Sequence, residues 1–401
     1  MTRDERRFLL LFLPIVFGFG GRMALVAFNG PLARHFTDNG YLIGLLLAVG
    51  PLISALVNPG IGRLSDRTWT RFGRRMPYVL VGVPLSTLVL FAIPSAPGYW
   101  VLLGLFLLRA VLISIGGVPL MSLIPDMTSP ARRGRIMSAF LVVGGLGAIA
   151  IQASGKLFWE EHFELVYYLA GLLSLFIIPP LFAIREPRPA ANELEAARAR
   201  SGLSLRALLE AFARRDPITL FLASGALRYL AVGIVITYLT LFAYTDLGIS
   251  VGDTALALAI TGGLRLVMAW PAGQLADRLS RKHLLLGATV AATLIHLATG
   301  YAVWNLTSLY LVLMAGAVVG TLDMVVAGPL FMDLLPADRR GELTGINMVL
   351  QNVFRAASAL LGGALFAWTG GYRACYAAAA LCMAISALLL TRVRVPPQTG
   401  E

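Results

Sequence analysis

Gly62-Arg63-Leu64-Ser65-Asp66-Arg67 closes an apolar run over 40–62, and Gly273-Gln274-Leu275-Ala276-Asp277-Arg278 closes another over 252–275, which sets the two aspartates 211 residues apart. A second echo lies beyond each: Pro130-Ala131-Arg132-Arg133-Gly134 and Pro336-Ala337-Asp338-Arg339-Arg340-Gly341, about 207 apart. Charged motifs that recur at one offset, each after an apolar run, mark a duplicated unit.

Outward from these motifs, apolar segments of at least about 18 residues recur along the whole chain. Twelve are expected, over 8–30, 40–62, 77–95, 99–122, 136–155, 165–184, 217–245, 252–275, 283–303, 307–330, 343–367 and 372–392. With 58% hydrophobic and only 13% charged residues, most of this surface needs lipid as its solvent. The expected fold is therefore an all-α membrane protein of twelve transmembrane helices, in two pseudo-symmetric six-helix bundles at 1–184 and 217–401. Between them, 185–216 is a polar linker. There Leu203, Leu205, Leu208, Leu209 and Phe212 alternate with Arg206, Glu210, Arg214 and Arg215 at helical spacing. That pattern suits an amphipathic helix on a membrane surface or a solvated linker with a helical tendency.

Charge fixes the orientation. The short connections on one side collect 25 Lys and Arg, those on the other only Arg34, Lys156 and Arg373, so both termini are expected in the cytoplasm. The N-terminal run lacks a small-residue cleavage site and is expected to stay as the first span of an inner-membrane protein. The net charge of +12 follows from these connections, which excludes a nucleic-acid partner. Cys375 and Cys382 lie about two helical turns apart, too far for a disulfide. The four histidines are scattered and no nucleotide loop or nucleophile elbow is present, so neither an enzyme, a cofactor nor a metal is expected.

The Gly-x-x-x-Asp-Arg pattern, followed by Gly73-Arg74-Arg75, resembles the conserved loop of the major facilitator superfamily. The longer form Ser65-Asp66-Arg67-x-x-x-Arg71-Phe72-Gly73-Arg74-Arg75-x-Pro77, with Gly50-Pro51 and Asn58-Pro59 before it, resembles sucrose-proton symporters and glycoside, pentoside and hexuronide carriers. The resemblance implies a secondary transporter working by alternating access. It further implies that Asp66, Arg67, Arg71, Arg74 and Arg75, with Asp277 and Arg278, form a cytoplasmic gate. A carboxylate at a helix end among arginines gains charge-assisted hydrogen bonds that must break when bundles rock apart. Some of these arginines can equally serve topology alone.

Five arginines sit near the middle of their spans: Arg22, Arg109, Arg228, Arg265 and Arg355. Buried charge is costly unless paired or wetted, so all five are expected to face the protein interior. Arg22 and Arg228 are repeat-related, 206 residues apart. The first, fourth, seventh and tenth spans line the cavity in the family this chain resembles, and Arg22, Arg109 and Arg228 fall on them. Asp323 is the one carboxylate well inside a span and the candidate for proton coupling. The excess positive charge calls for carbonyls, water or an anionic ligand. Candidate substrate-binding residues are thus Arg22, Arg109, Arg228, Gln351, Asn352 and Arg355, with Gln152 and Asn347 at similar depth. His296 can titrate or simply pack. Phe17, Phe28, Tyr229, Tyr238 and Trp270 receive no role.

The leading expectation is a monomeric transporter of an anionic organic solute or acidic sugar, driven by protons or by exchange, whose partners are that small molecule, protons and the bilayer. Sodium coupling is not expected, because the second span carries only Asn58 where related carriers place carboxylates. The alternatives are a neutral sugar-proton symporter, a lipid or lysolipid carrier, and a non-transporting membrane scaffold.

Overall fold

The structure, a computed structural model, describes residues 3–184, 186, 217–336 and 340–394. The linker call over 185–216, including the amphipathic stretch Leu203 to Phe212, lies outside the described residues but for Glu186, and so does the centre of the second Pro-Ala-x-Arg-Arg-Gly echo.

Helices follow one another with short turns: α1 (Arg3–Ala24), α2 (Val26–Phe36), α3 (Gly40–Arg67), α4 (Met76–Ala92), α5 (Tyr99–Met127), α6 (Pro130–Leu175), α7 (Ile178–Ala183), α8 (Pro217–Leu247), α9 (Val251–Arg278), α10 (Arg281–Tyr301), α11 (Leu306–Leu334), α12 (Arg340–Thr369) and α13 (Arg373–Arg392). A 3₁₀ turn at Ile93–Ser95 extends α4. Among the described residues the sole β feature is an isolated bridge between Thr70 and Gly73.

Eleven helical segments are long and apolar enough to cross a membrane. The difference from the expected twelve lies in α6, where the segments expected at 136–155 and 165–184 run into one another. The 46 residues of α6 form two helices joined at a kink. Its only break is His162, with φ −144° and ψ 66°. That break falls between the two segments expected from sequence, where Lys156, Glu160, Glu161 and Glu164 interrupt the apolar run. Helices α3 and α5 outlast their apolar windows, because a helix need not stop where the lipid does.

The chain packs as two units. The first gathers residues 1–38, 49–202 and 251–259, the second 39–48, 203–250 and 260–401, as far as these are described. Each therefore holds a helical end from the opposite half of the sequence.

In the first unit α1 lies directly against α6. A Cβ on Gly20 would overlap the Gly144 carbonyl, and one on Gly147 would overlap the Phe17 carbonyl. Lipid offers no hydrophobic drive for helices to associate, so contact of this kind is won by dispersion between bare backbones. Towards the start of α1, Phe8, Phe12 and Ile15 pack with Val79, Leu120, Phe140 and Leu181 into an apolar core. The second unit has a matching core of Phe221, Leu222, Leu285, Leu330 and Ile346. It also has buried polar ties: the Ser224 and Ser386 hydroxyls meet at 2.7 Å, and the Tyr238 hydroxyl donates to the Ala359 carbonyl.

Candidate functional site

The first unit buries two guanidinium groups. Arg22 stands in the last turn of α1, just before the helix breaks at Leu25, and is only 4% exposed. Its Nη1 donates to the Ser86 hydroxyl on α4 at 3.2 Å, while that hydroxyl donates to the Val83 carbonyl. The Phe19 ring lies 5.6 Å from its guanidinium carbon. Its Nε is buried with no hydrogen-bond partner.

Arg109 on α5 is partly buried, and both its Nε and Nη2 are buried without a partner. It lies close enough to Arg22 for the two charges to repel, and it is also within electrostatic reach of Tyr167. Tyr167 is fully buried and donates its hydroxyl to Asn29 Oδ1 at 3.3 Å. Among the described residues no carboxylate pairs with either arginine.

In the second unit the repeat-related Arg228 is equally buried, at 4%, but its Nη1 donates to Asp323 Oδ1 on α11 at 2.7 Å. A chain of hydrogen bonds lies nearby in sequence: Gln351 Nε2 donates to the Tyr229 hydroxyl at 2.8 Å, which donates to Asn347 Oδ1 at 3.4 Å. Tyr229, given no role from sequence, is thus the link between two α12 side chains. Asn352 donates to the Met348 carbonyl of its own helix. Arg355 is exposed, as is Arg265, whose guanidinium passes beside Gly320. His296 is buried with both ring nitrogens unpartnered.

The motif residues gather at one end of the first unit. Arg75 bonds Asp66 at 3.1 Å and Asp126 at 2.6 Å, and Arg74 reaches the same Asp126 oxygen at 2.8 Å. Glu186 accepts from the backbone N–H groups of Arg74, Arg75 and Met76 at 2.6–2.9 Å. Those groups are the unsatisfied donors at the α4 N-terminus, where a negative charge is also favoured by the helix dipole. Gly73, at φ +110°, backs onto the Glu186 side chain, and a Cβ there would meet it at 2.8 Å. Arg71 leaves the cluster and lies over the Phe72 ring, and Arg67 is exposed.

At the corresponding end of the second unit Asp277 and Arg278 are exposed, and among the described residues Arg281 pairs with Asp333 at 2.7 Å. Sequence reasoning missed Asp126, Glu186, Arg281 and Asp333. The signal was present for three of them, since Arg74 to Arg281 and Asp126 to Asp333 both repeat at 207.

Residues 10–353, and separately 221–401, match the Major Facilitator Superfamily. The chain belongs to the major facilitator superfamily. Solved structures agree on the superfamily fold. A bacterial homologue of the human lysosomal transporter Spinster, in an inward-facing and occupied conformation, superposes with a TM-score of 0.76 over 99% of this chain and all of that one, at 14% identity. The nucleoside transporter NupG gives 0.76 over 98% of this chain and all of that one, at 13% identity. A curated relative, the sodium-dependent lysophosphatidylcholine symporter 1-B of Danio rerio, is 38% identical over 58 residues, a stretch spanning 14% of this chain and 11% of the relative. Family and fold are those of membrane transporters, and nothing in either is particular to an enzyme.

Proposed function

We propose that this chain is a secondary active transporter that moves an anionic organic solute, such as an acidic sugar or glycoside, by alternating access. One observation carries the reading: two mutually repelling guanidinium groups, Arg22 and Arg109, are held in the first unit with buried N–H donors unused. Donors left unpaired in a low-dielectric setting are costly, and an incoming anion repays them. The bent α6 crosses the bilayer twice, which restores twelve spans in two bundles, 1–184 and 217–401. The charge asymmetry puts both termini in the cytoplasm and the protein in the inner membrane. The loop over 65–77 resembles that of the glycoside, pentoside and hexuronide carriers, which supports a role for Asp66, Arg74 and Arg75 as the cytoplasmic gate.

In this reading Asp323 carries the proton. Its bond to Arg228 is released on protonation and re-formed on release, which gives the cycle a charge-dependent step. Liposomes containing the purified chain test both parts. Labelled glucuronide is expected to accumulate against its gradient when the outside is acidic, and a neutral glucoside is not. Asp323→Asn is expected to lose accumulation but keep exchange of labelled for unlabelled solute. Equal uptake of neutral and acidic solutes removes the anion reading, and accumulation by Asp323→Asn moves the proton elsewhere.

The 58-residue similarity to a lysophosphatidylcholine symporter favours a second reading, a lysolipid carrier whose phosphate meets the same arginines. Uptake of fluorescent lysophosphatidylcholine, competed by glucuronide, separates the two.

A further inference from the structure

We infer that the Arg22–Arg109 pair selects a doubly charged phosphate monoester over a singly charged carboxylate; this rests on the anion reading above. The free donors define a shape as well as a sign. Nε and Nη2 form the side edge of a guanidinium, and their N–H bonds run parallel, the fork that holds two oxygens of one anion. On Arg109 that whole edge is buried and unused. Arg22 adds a third unused donor, its Nε, while its Nη1 is fixed on Ser86, so the side chain is already oriented. A fork and a third donor match the three terminal oxygens of a phosphate monoester, and a carboxylate has only two.

Charge counting leads to the same class. Arg22 is 4% exposed, and neither arginine has a carboxylate partner among the described residues. A single negative charge would leave one guanidinium uncompensated, and the phosphodiester of a lysolipid carries only one. A monoester above its second pKa of about 6 brings close to two. The neighbouring Tyr167 has committed its proton to Asn29.

The test uses the full chain in detergent, with thermal unfolding and competition binding as readouts and glucose 6-phosphate, glucuronate and glucose as probes. At pH 7.5 glucose 6-phosphate is expected to bind at least about tenfold tighter than glucuronate, with glucose inert. Between pH 7.5 and 5.5 its affinity is expected to fall about fourfold, as the phosphate gains a proton, while that of glucuronate stays level. Arg22→Gln is expected to bring the two anions to similar affinity. Arg109→Lys, which keeps the charge but not the fork, is expected to lose most of the preference while folding normally. Equal binding of both anions with a flat pH profile overturns the dianion assignment and leaves the anion reading standing. Stabilisation by none of the three, or by all equally, removes both. Selectivity that survives in both variants places the phosphate elsewhere and overturns the assignment.

Discussion

Arg22 and Arg228 occupy equivalent places in the two halves and are buried to the same degree, yet they have opposite surroundings. Arg228 is neutralised within the chain by Asp323, and Arg22 faces a second arginine. A buried ion pair holds its own structure together, whereas an uncompensated charge stores a demand that something from outside must meet. Duplication supplied two similar guanidinium groups, and their neighbours have given one a partner and left the other available. The charged ends differ as well among the described residues: Asp66, Asp126 and Glu186 gather on Arg74 and Arg75 in the first unit, which also pairs Glu5 with Arg132, while Arg281 pairs with Asp333 in the second.

The sharpest way to break this comparison is by stability. Asp323→Ala leaves Arg228 buried and alone and is expected to cost about 2 to 3 kcal/mol, below the range for fully buried pairs because Asp323 is about a third exposed. Replacing both partners, Arg228→Met with Asp323→Leu, is expected to return most of that loss. Arg22→Met is expected to leave the unfolding midpoint unchanged or raise it, because it removes a charge that nothing balances. Thermal unfolding in one detergent compares all three. If Arg22→Met proves as damaging as Asp323→Ala, Arg22 is a structural tie and the contrast fails.

The next contrast lies at the charged ends. Glu186→Gln keeps the shape but takes the negative charge from three backbone donors, and is expected to cost about 1.5 kcal/mol. Asp126→Asn loosens two arginines at once and is expected to cost about 1 kcal/mol. Asp333→Asn, which frees a single part-exposed arginine, is expected to cost less than that by the same measurement.

The smallest effect sharpens the gate. Asp66→Ala removes one part-exposed ion pair, so its stability cost is expected to be near zero, while cysteine probes on the cytoplasmic side gain reactivity. Asp277→Ala is expected to change neither. Equal responses would mean that both motif copies work alike.

Much of the architecture was readable from sequence because lipid imposes one simple requirement, continuous apolar length. The division of α6 was readable as well, because Lys156, Glu160 and Glu161 interrupt the apolar run just before His162, where the backbone leaves the helical region. The arginines were found because charge inside an apolar run is conspicuous, but their different fates were not, since pairing depends on which neighbours lie across the bundle. Ser86 and Tyr167 carry no motif that marks them out. Asp126 and Glu186 lie 51 and 111 residues from Arg75, beyond the reach of any local pattern.

The backbone contact between α1 and α6 has a consequence for anyone screening variants of this chain by growth on a transported nutrient. Any missense change at Gly20, Gly144 or Gly147 introduces a side chain, and at Gly20 and Gly147 that side chain collides with a carbonyl of the facing helix. Such clones will score as dead alongside Arg22 clones two residues away. A survival map will therefore paint a stripe of apparent ligand contacts along a seam that is helix packing, and only a parallel count of protein at the membrane will tell the two kinds of loss apart.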